Sequence, residues 1–231
     1  MKYGVICAMP EEIKELIDAL DYKQEIELGS KTYYEGMISN QAVVLVESGI
    51  GKVEAGITTE HLISEFNADV VINSGSAGGI GEGLKVGDVV VSSETAYHDV
   101  DVTAFGYVYG QLPSQPATFK ASEKWSQAII EAGKSTGLNV LSGLIVSGDQ
   151  FVASSDKINE IKANFPTALS SEMEGAAVGQ VANDHDVPYV VVRAMSDTGD
   201  EDASVSFDDF IIDAGKRSAK MLLTLFANQN K

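Results

Sequence analysis

Three acidic side chains occupy positions from which they could do acid–base chemistry. Glu12 follows the apolar segment "KYGVICA", Asp197 follows "PYVVVRAMS", and Glu174 lies in "SSEMEGAAVG". Ligands of sheets with parallel strands bind beyond the carboxyl ends of the strands, where Glu12 and Asp197 would lie. There, a buried carboxyl group can stay protonated and donate a proton, while a better-solvated one stays ionised and acts as a base or stabilises positive charge. Cleavage of a glycosidic bond needs that division of roles.

Glu12 and Asp197 also have structural explanations. Pro10 suits the first turn of a helix, and in that turn Glu12 would be stabilised by the helix macrodipole. Asp197 could instead form an Asx turn before Gly199. The residues alone leave these alternatives open beside the catalytic interpretation.

Glu174 has the strongest structural explanation of the three. Residues 171–174, "SEME", match a capping box in which Ser171 is the N-cap and Glu174 reaches back to its amide. Glu172 lies two positions away, so a helix would turn it away from the apolar face that Glu174 borders. The segment is therefore predicted to begin a helix, and Glu174 joins the candidate site only if that helix faces the strand ends.

The glycine-rich segment "NSGSAGGIGEGL", residues 73–84, resembles two motifs without matching either. It contains no P-loop and no clean G-x-G-x-x-G. Ser76 is not in a complete nucleophile elbow, because Ser74 replaces the first glycine, and neither His98 nor His185 follows an obvious strand. A serine hydrolase is therefore disfavoured. A tight turn that lets backbone approach a ligand fits the segment better.

The charged and metal-binding residue types narrow the possible partners. The three histidines are far apart in sequence and lack ligand-spaced neighbours, so no metal site is predicted. Arg193 and Arg217 are the only arginines, whereas phosphate sites usually use several arginines or a helix N-terminus. Water is thus a more natural second substrate than phosphate, and Arg193 is expected to neutralise part of the acidic cluster.

Composition excludes several classes of protein. The 231 residues carry 34 acidic and 16 basic side chains, for a net charge of −18, so nucleic acid and anionic membrane surfaces should be repelled. Cys7 is the only cysteine, which rules out an internal disulfide and indicates a reducing compartment. No apolar stretch approaches the roughly 20 residues of a membrane helix. The sequence therefore predicts a cytoplasmic protein.

Strand-like and helix-like segments alternate along the chain, which indicates a layered α/β domain with a largely parallel sheet. Residues 32–39 and 41–48 flank Asn40 as a predicted hairpin, and residues 207–227 form a predicted terminal helix. Residues 98–120 lack a clear period and are predicted to form a long loop, which in compact domains is usually functional. No repeat or domain boundary is evident, so residues 1–231 are expected to form a single domain.

Seven motifs together carry a resemblance to a known family. They are "GVICAMPEE", "SGIGKVEAG", "NSGSAGGI", "VVVSSETAYHDVD", "SGDQFV", "SEMEGAAV" and "RAMSDTGD". The chain resembles the 5′-methylthioadenosine/S-adenosylhomocysteine nucleosidases of the purine nucleoside phosphorylase superfamily, from Lys2 to the terminal helix. The resemblance implies a three-layer αβα sandwich with a mixed, largely parallel central sheet. It also implies a homodimer that needs no cofactor or metal.

The resemblance implies hydrolysis of the N-glycosidic bond of 5′-methylthioadenosine, S-adenosylhomocysteine and 5′-deoxyadenosine, with release of adenine. Asp197 would protonate adenine N7, and Glu12 would activate water. Glu174 would hold the ribose hydroxyls and favour the cationic sugar of the transition state. These roles agree with the chemistry, since adenine leaves poorly as an anion and carboxylates stabilise an oxocarbenium-like sugar.

Around the ribose and the base, the resemblance implies contacts from six residues. Met173 would pack under the ribose, Phe151 would stack on adenine, and Val152 would bond adenine through its main chain. Ser196 and the turn Ala77-Gly78 would line the base pocket.

Two further groups of residues follow from the same resemblance. Ser76, Arg193 and Glu172 would lie near the water. A thioether suits apolar walls, and the implied pocket for the 5′ substituent consists of Met9, Ile50, Val102, Phe105, Tyr107 and Phe207. Pro113 would be donated by the partner subunit.

Two other functions remain open on the residues alone. A phosphorylase of the same superfamily is disfavoured by the small number of arginines. A nucleoside-binding protein without catalysis on the same scaffold is the other alternative.

Overall fold

The computed structural model describes residues 1–198 and 203–229. In those residues a mixed sheet is flanked by helices on both faces. Its strands are β1 Lys2–Cys7, β2 Asp21–Leu28, β3 Lys31–Ile38, β4 Gln41–Glu47, β5 Val70–Gly79, β6 Val89–Tyr97, β7 Phe119–Lys120, β8 Val140–Ser147, β9 Ala168–Glu172 and β10 Tyr189–Asp197. The helices are α1 Pro10–Asp18, α2 Lys52–Ser64, α3 Glu123–Ser135, α4 Ser155–Asn164, α5 Gly175–Asp184 and α6 Ala203–Asn228.

Side-chain alternation along the central strands explains the three layers. Tyr3 and Val5 of β1 pack into a core with α1, α3 and α6, whereas Ile6 points to the opposite core beside α2 and α5. On β10, Val190 and Val191 divide between the same two cores. Strands buried on both faces read as continuous apolar runs, as these do. The expected αβα sandwich is confirmed.

Pairing within the sheet is mixed: among the described residues, five strand pairs are parallel and five are antiparallel. β1 runs parallel to β4 and β5, and β10 runs parallel to β5. The predicted hairpin is confirmed as β3 and β4, which pair antiparallel from Tyr33 opposite Val46 to Ile38 opposite Gln41. β5, β9, β8, β6 and β10 pair in turn, and β10 also pairs with β5, so these five strands close a ring. The ring brings the carboxyl ends of β5, β8 and β10 together.

Two elements differ from the sequence-based expectation. The segment predicted to begin a helix at Ser171 continues as β9 through Glu172, and α5 begins only at Gly175. Ser171 pairs with Gly78 of β5 on one side and Val146 of β8 on the other, so sheet hydrogen bonds replace the capping box. The strand β2 was not expected, because it is polar and largely exposed at the sheet edge.

The segment 98–120 is a long connection, as predicted, and contains a short 3-10 turn at Thr103–Phe105 and the two-residue strand β7. The predicted terminal helix is α6. Among the residues the structure describes, no helix is long and apolar enough to cross a membrane.

Candidate active site

Glu12 is held at the carboxyl end of β1 by four hydrogen bonds. Its Oε2 atom accepts from the amides of Ala8 at 2.9 Å and Met9 at 3.2 Å, and its Oε1 atom accepts from the amide of Ser76 at 2.8 Å and its hydroxyl at 2.9 Å. The side chain is 1% exposed. Burial raises the pKa of Glu12, although Arg193 and the Ser76 hydrogen bonds oppose the rise. Glu12 therefore both caps the start of α1 and reaches the site, so its two interpretations are compatible.

Arg193 of β10 is the central cation of the site and is fully buried. Its Nη2 atom donates to Glu172, to Asn73 and, at 3.2 Å, to Glu174. Its Nη1 atom donates to the carbonyl of Ser76 at 3.3 Å. Two carboxylates thus share one guanidinium, which offsets the cost of burying all three charges.

Gly75 makes the close approach of these charges possible. A Cβ atom at this position would lie 2.5 Å from Nη1 of Arg193 and 2.7 Å from Oε1 of Glu12. Only a residue without a side chain fits between the arginine and the carboxylate. The glycine-rich part of β5 therefore allows close packing of the charged groups.

Glu174 lies just before α5 and is also buried. Its Oε1 atom accepts from the amide of Gly51 at 2.9 Å, and its Oε2 atom accepts from Arg193. Burial raises the pKa of Glu174 to about 7, with Glu172 adding to the rise and Arg193 opposing it. Its carboxylate accepts from Gly51 and Arg193 and not from the amide of Ser171. The predicted capping box, which would have competed with a ligand for this carboxylate, is therefore not formed.

Glu172, not Ser171, caps α5. Its Oε2 atom accepts from the amides of Glu174 at 3.0 Å and Gly175 at 2.8 Å, and the hydroxyl of Ser147 donates to its Oε1 atom. The expectation that Glu172 is turned away was wrong, because it rested on a helix that begins three residues too early. Both glutamates instead face Arg193.

Asp197 ends β10 beside a break in the strand register. The register with β5 shifts between Met195 and Asp197, and Asp197 comes to lie opposite Gly78. Its Oδ2 atom accepts from the hydroxyl of Ser196 at 2.9 Å, and the side chain is 2% exposed. Gly199, the partner in the Asx-turn alternative, lies outside the described residues.

One pocket gathers these groups with apolar walls. Phe151 and Phe207 meet edge to face with ring centroids 5.7 Å apart. The sequence-predicted residues that line the pocket are Met9, Glu12, Ile50, Ser76, Ala77, Gly78, Phe151, Val152, Glu172, Met173, Glu174, Arg193, Ser196, Asp197 and Phe207. Ala8, Gln150 and Ser171 line it as well. They were not among the predicted contacts: Ala8 and Gln150 each adjoin a predicted residue, and Ser171 was interpreted as the N-cap of a helix.

Four predicted residues do not line this pocket within one chain. Val102, Phe105, Tyr107 and Pro113 belong to the long connection 98–120, and none contributes to the pocket wall. Phe105 is 83% exposed. The connection turns back on itself, with the amide of Gly110 donating to the carbonyl of Val100 at 2.8 Å, and Val102, Phe105 and Tyr107 lie within that turn.

None of the three histidines lines the pocket. His61 Nδ1 contacts the Tyr33 hydroxyl at 2.8 Å, His185 contacts Glu60 at 2.5 Å, and His98 is buried after β6. Across residues 1–198 and 203–229, no group of three or more His, Cys, Asp or Glu side chains is placed to hold a metal ion.

The arrangement suits a mostly neutral ligand that becomes cationic during reaction. Glu12, Glu174 and Asp197 converge on one pocket, and Arg193 is already engaged by carboxylates. Oriented carboxylates in a site that excludes water stabilise developing positive charge strongly.

Known proteins resemble this chain over nearly its whole length. A family model of the phosphorylase superfamily matches residues 2–227. The 5′-methylthioadenosine/S-adenosylhomocysteine nucleosidase of Actinobacillus succinogenes is 49% identical over 227 residues, which cover 98% of this chain and 99% of the relative.

Solved structures of proteins with similar sequences share the fold of this chain. The nucleosidase of Streptococcus pneumoniae with the transition-state inhibitor MT-ImmA has a TM-score of 0.95 at 48% identity, and covers 98% of this chain and 99% of that chain. The nucleosidase of Neisseria meningitidis in complex with methylthio-immucillin-A has a TM-score of 0.96 at 46% identity, with coverage of 98% and 99%. This chain belongs to the phosphorylase superfamily, as the family model, the relative and the two solved structures all show.

Proposed function

We propose that the protein hydrolyses the N-glycosidic bond of 5′-methylthioadenosine and S-adenosylhomocysteine, and also of 5′-deoxyadenosine, releasing adenine. One observation carries the proposal: Glu12, Glu174 and Asp197 converge on a single pocket with apolar walls. The nucleosidases from A. succinogenes, S. pneumoniae and N. meningitidis support the substrate class.

Asp197 is the proposed general acid at adenine N7. The side chain is buried and held by the Ser196 hydroxyl, which fixes the direction of its carboxyl group. Protonation of the leaving base by a positioned acid typically contributes about 10²–10⁴-fold. Ser196, Ala77 and Gly78 then line the base, between Phe151 on its face and the main chain of Val152.

Glu12 is the proposed base for the attacking water. Burial raises its pKa, so the carboxylate is a stronger base than an exposed glutamate. Ser76 and Arg193 lie beside it and Glu172 is hydrogen-bonded to Arg193, and the three would orient the water without taking its proton.

Glu174 is proposed to hold the ribose hydroxyls, with Met173 under the ring. Its carboxylate lies in a pocket where water is largely excluded, so its attraction to a cationic sugar is stronger than it would be in solvent. Met9, Ile50 and Phe207 provide the apolar surface for the 5′ substituent.

Water is favoured over phosphate as the second substrate because the nearby cation is occupied. Arg193 already serves Glu172 and Glu174, and Arg217 pairs with Asp213 on α6. A phosphate dianion would meet carboxylates here instead of free guanidinium groups.

Incubation with 5′-methylthioadenosine in phosphate-free buffer tests the proposal. Free adenine and free methylthioribose are the expected products. A strict phosphate requirement would point to a phosphorylase, and binding without turnover would point to a nucleoside-binding protein; either result contradicts the hydrolase.

A homodimer is part of the proposal, with Val102, Phe105, Tyr107 and Pro113 completing a site across the interface. Phe105 and Val108 expose apolar surface on the long connection at 83% and 57%. Analytical ultracentrifugation should find wild type as a dimer, and Phe105→Ser should weaken it and raise KM. Tyr22→Ser, which changes a ring that is 86% exposed on β2, is the matched control. A wild-type monomer with full activity contradicts this assignment.

We further infer a cytoplasmic location and a role in methionine salvage and nucleoside catabolism. The buried thiol of Cys7 and the acidic composition suit a reducing, aqueous compartment. Cells that lack the protein should accumulate the two thioether nucleosides, and fractionation should recover the activity without membranes. Unchanged nucleoside levels would contradict the metabolic role.

A further inference from the structure

A polar cluster lies beside the pocket and joins three segments of the chain. Lys52 is the first residue of α2, Asp99 follows β6, and Asp149 follows β8. We call these three residues the Lys52 cluster. None of them lines the pocket, and the proposed reaction assigns them no role.

Hydrogen bonds link the three residues of the Lys52 cluster to one another. Nζ of Lys52 donates to Asp99 at 2.7 and 2.9 Å and lies 3.7 Å from Asp149. The amide of Lys52 donates to Asp149 at 2.9 Å, and the amide of Asp149 donates to Asp99 at 2.9 Å. Asp149 thereby caps α2, while Asp99 fixes the start of the loop that follows β8.

Lys52 and Asp149 each lie within two residues of a group that faces the pocket, and Asp99 is hydrogen-bonded to both of them. The amide next to Lys52 is that of Gly51, which donates to Glu174 at 2.9 Å. Gly51 has φ +102°, a conformation that favours glycine. Phe151 follows Asp149 by two residues, so the cluster fixes one wall of the pocket and the donor to Glu174 together.

The electrostatic environment makes the pairing strong for a site near the surface. The side chains of Lys52 and Asp99 are 22% and 11% exposed, and partly buried pairs are screened little by salt. Burial alone would raise the pKa of Asp99, but hydrogen bonds from Lys52 and from the amide of Asp149 lower it. Without the ammonium group, two adjoining carboxylates would repel each other across the loop.

We propose that Lys52 and Asp99 are positioning residues for the nucleosidase reaction, holding the Gly51 amide on Glu174 and the loop at residues 148–152 in the geometry that binds the nucleoside. This inference rests on the proposed function. The residues act through Gly51 and Phe151, and they do not touch the reacting atoms.

Lys52→Met tests the proposal, because it keeps the length of the side chain and removes the charge. We expect KM for 5′-methylthioadenosine and the Kd for adenine, measured by calorimetry, to rise at least about 10-fold, as misplacement of a binding group does. A loss of stability alone would reduce the amount of active enzyme without changing KM or Kd. Both constants are therefore measured on the folded fraction.

Two variants complete the comparison. Lys52→Arg restores the charge and should recover most of the wild-type KM. Lys14→Met removes an exposed i,i+4 pair with Asp18 on α1 and should leave both constants unchanged.

A double-mutant cycle with Asp99→Asn measures the coupling directly. If the two residues act as a unit, Lys52→Met combined with Asp99→Asn raises KM by less than the product of the single effects. Wild-type turnover combined with an unchanged KM and adenine Kd in Lys52→Met overturns the positioning role alone. A wild-type protein that releases no adenine overturns the proposed function itself, so the two failures are distinct.

Discussion

At the scale of single residues, the site depends on how few positive charges it contains. Arg193 is shared by Glu172 and Glu174, and Glu12 relies mainly on amide and hydroxyl donors. The pocket therefore retains negative charge when it is empty. That charge has a use only if the ligand becomes cationic, which is what cleavage of an N-glycosidic bond requires.

Asp197→Asn tests the proposed acid. The amide keeps the shape of the side chain but cannot supply a proton, so kcat should fall at least about 100-fold while adenine still binds. Steady-state kinetics and calorimetry separate the two effects. Asp213→Asn on the exposed face of α6 is the matched control, and near-normal turnover of Asp197→Asn would show that the acid is another group.

Glu174 should make the stability of the protein depend on pH. Burial raises its pKa from 4.5 to about 7, so the folded state holds this proton more tightly than the unfolded chain. That contribution to stability is complete below about pH 4.5 and is lost as pH rises through about 7.

Urea unfolding at about pH 5 and pH 8 checks the sign of this effect. Relative to Glu174→Gln, wild type should lose free energy of unfolding on the order of 1 to 3 kcal/mol over that interval. Glu131→Gln on the exposed face of α3 is the control. If the free energy of unfolding changed equally between the two pH values in Glu174→Gln and Glu131→Gln, the assignment to Glu174 would be contradicted.

At the scale of elements, the sequence predicts the buried strands well and the polar ones poorly. β1 and β10 are recognisable because both faces are apolar. The catalytic candidate Asp197 is the last residue of β10, and Glu12 lies in the first turn of α1, which follows β1. β2 could not be predicted from "DYKQEIEL", because an edge strand carries charge to avoid pairing with other chains.

The segment around Glu172 shows why local pattern was insufficient. Ser171 fits an N-cap by type and spacing, but its backbone pairs with both β5 and β8. The residues opposite Ser171 are Gly78, 93 positions away in sequence, and Val146, 25 positions away. A local sequence pattern contains no information about partners at that distance. Similarly, nothing in residues 98–116 indicates that Phe105 would be exposed.

Two helix glycines, Gly179 on α5 and Gly56 on α2, differ in the space around them, so substitution by alanine should change stability in opposite directions. A Cβ atom at Gly179 would lie 2.7 Å from both the Thr95 and Tyr189 hydroxyls, whereas one at Gly56 would have its nearest neighbour at 3.8 Å. Gly179→Ala should destabilise the fold by about 1–3 kcal/mol. Gly56→Ala on α2 should stabilise it by about 0.5–1 kcal/mol through helix propensity. Thermal unfolding checks both, and a shift of the same sign in both variants would contradict the packing argument.

At the scale of the whole molecule, net charge dominates the surface. The excess of 34 acidic over 16 basic residues favours unfolding through self-repulsion. The exposed ion pairs, such as Lys14 with Asp18, oppose this only weakly. Repulsion between like charges therefore outweighs the attraction of the ion pairs, and salt that screens both should stabilise the folded protein.

Raising sodium chloride from about 10 to 200 mM should increase the melting temperature by a few degrees, because added salt shortens the range of the repulsion. Differential scanning fluorimetry measures the shift, with an equal osmolality of sucrose as the control. A melting temperature that falls with salt would mean that ion pairs outweigh the net charge.

The closed ring of β5, β9, β8, β6 and β10 has a kinetic consequence. Opening it would break backbone hydrogen bonds between neighbouring strands, so the floor that holds Asp197, Gly78 and Glu172 stays in place when a ligand enters. At the mouth, the side chains of Ile50 and Phe151 are 54% and 50% exposed, so their rotamers can change while the backbone of residues 148–152 stays held by the Lys52 cluster. Entry and departure are thus governed by the rim, and residence time, measured by stopped-flow, becomes a property separate from the chemical step.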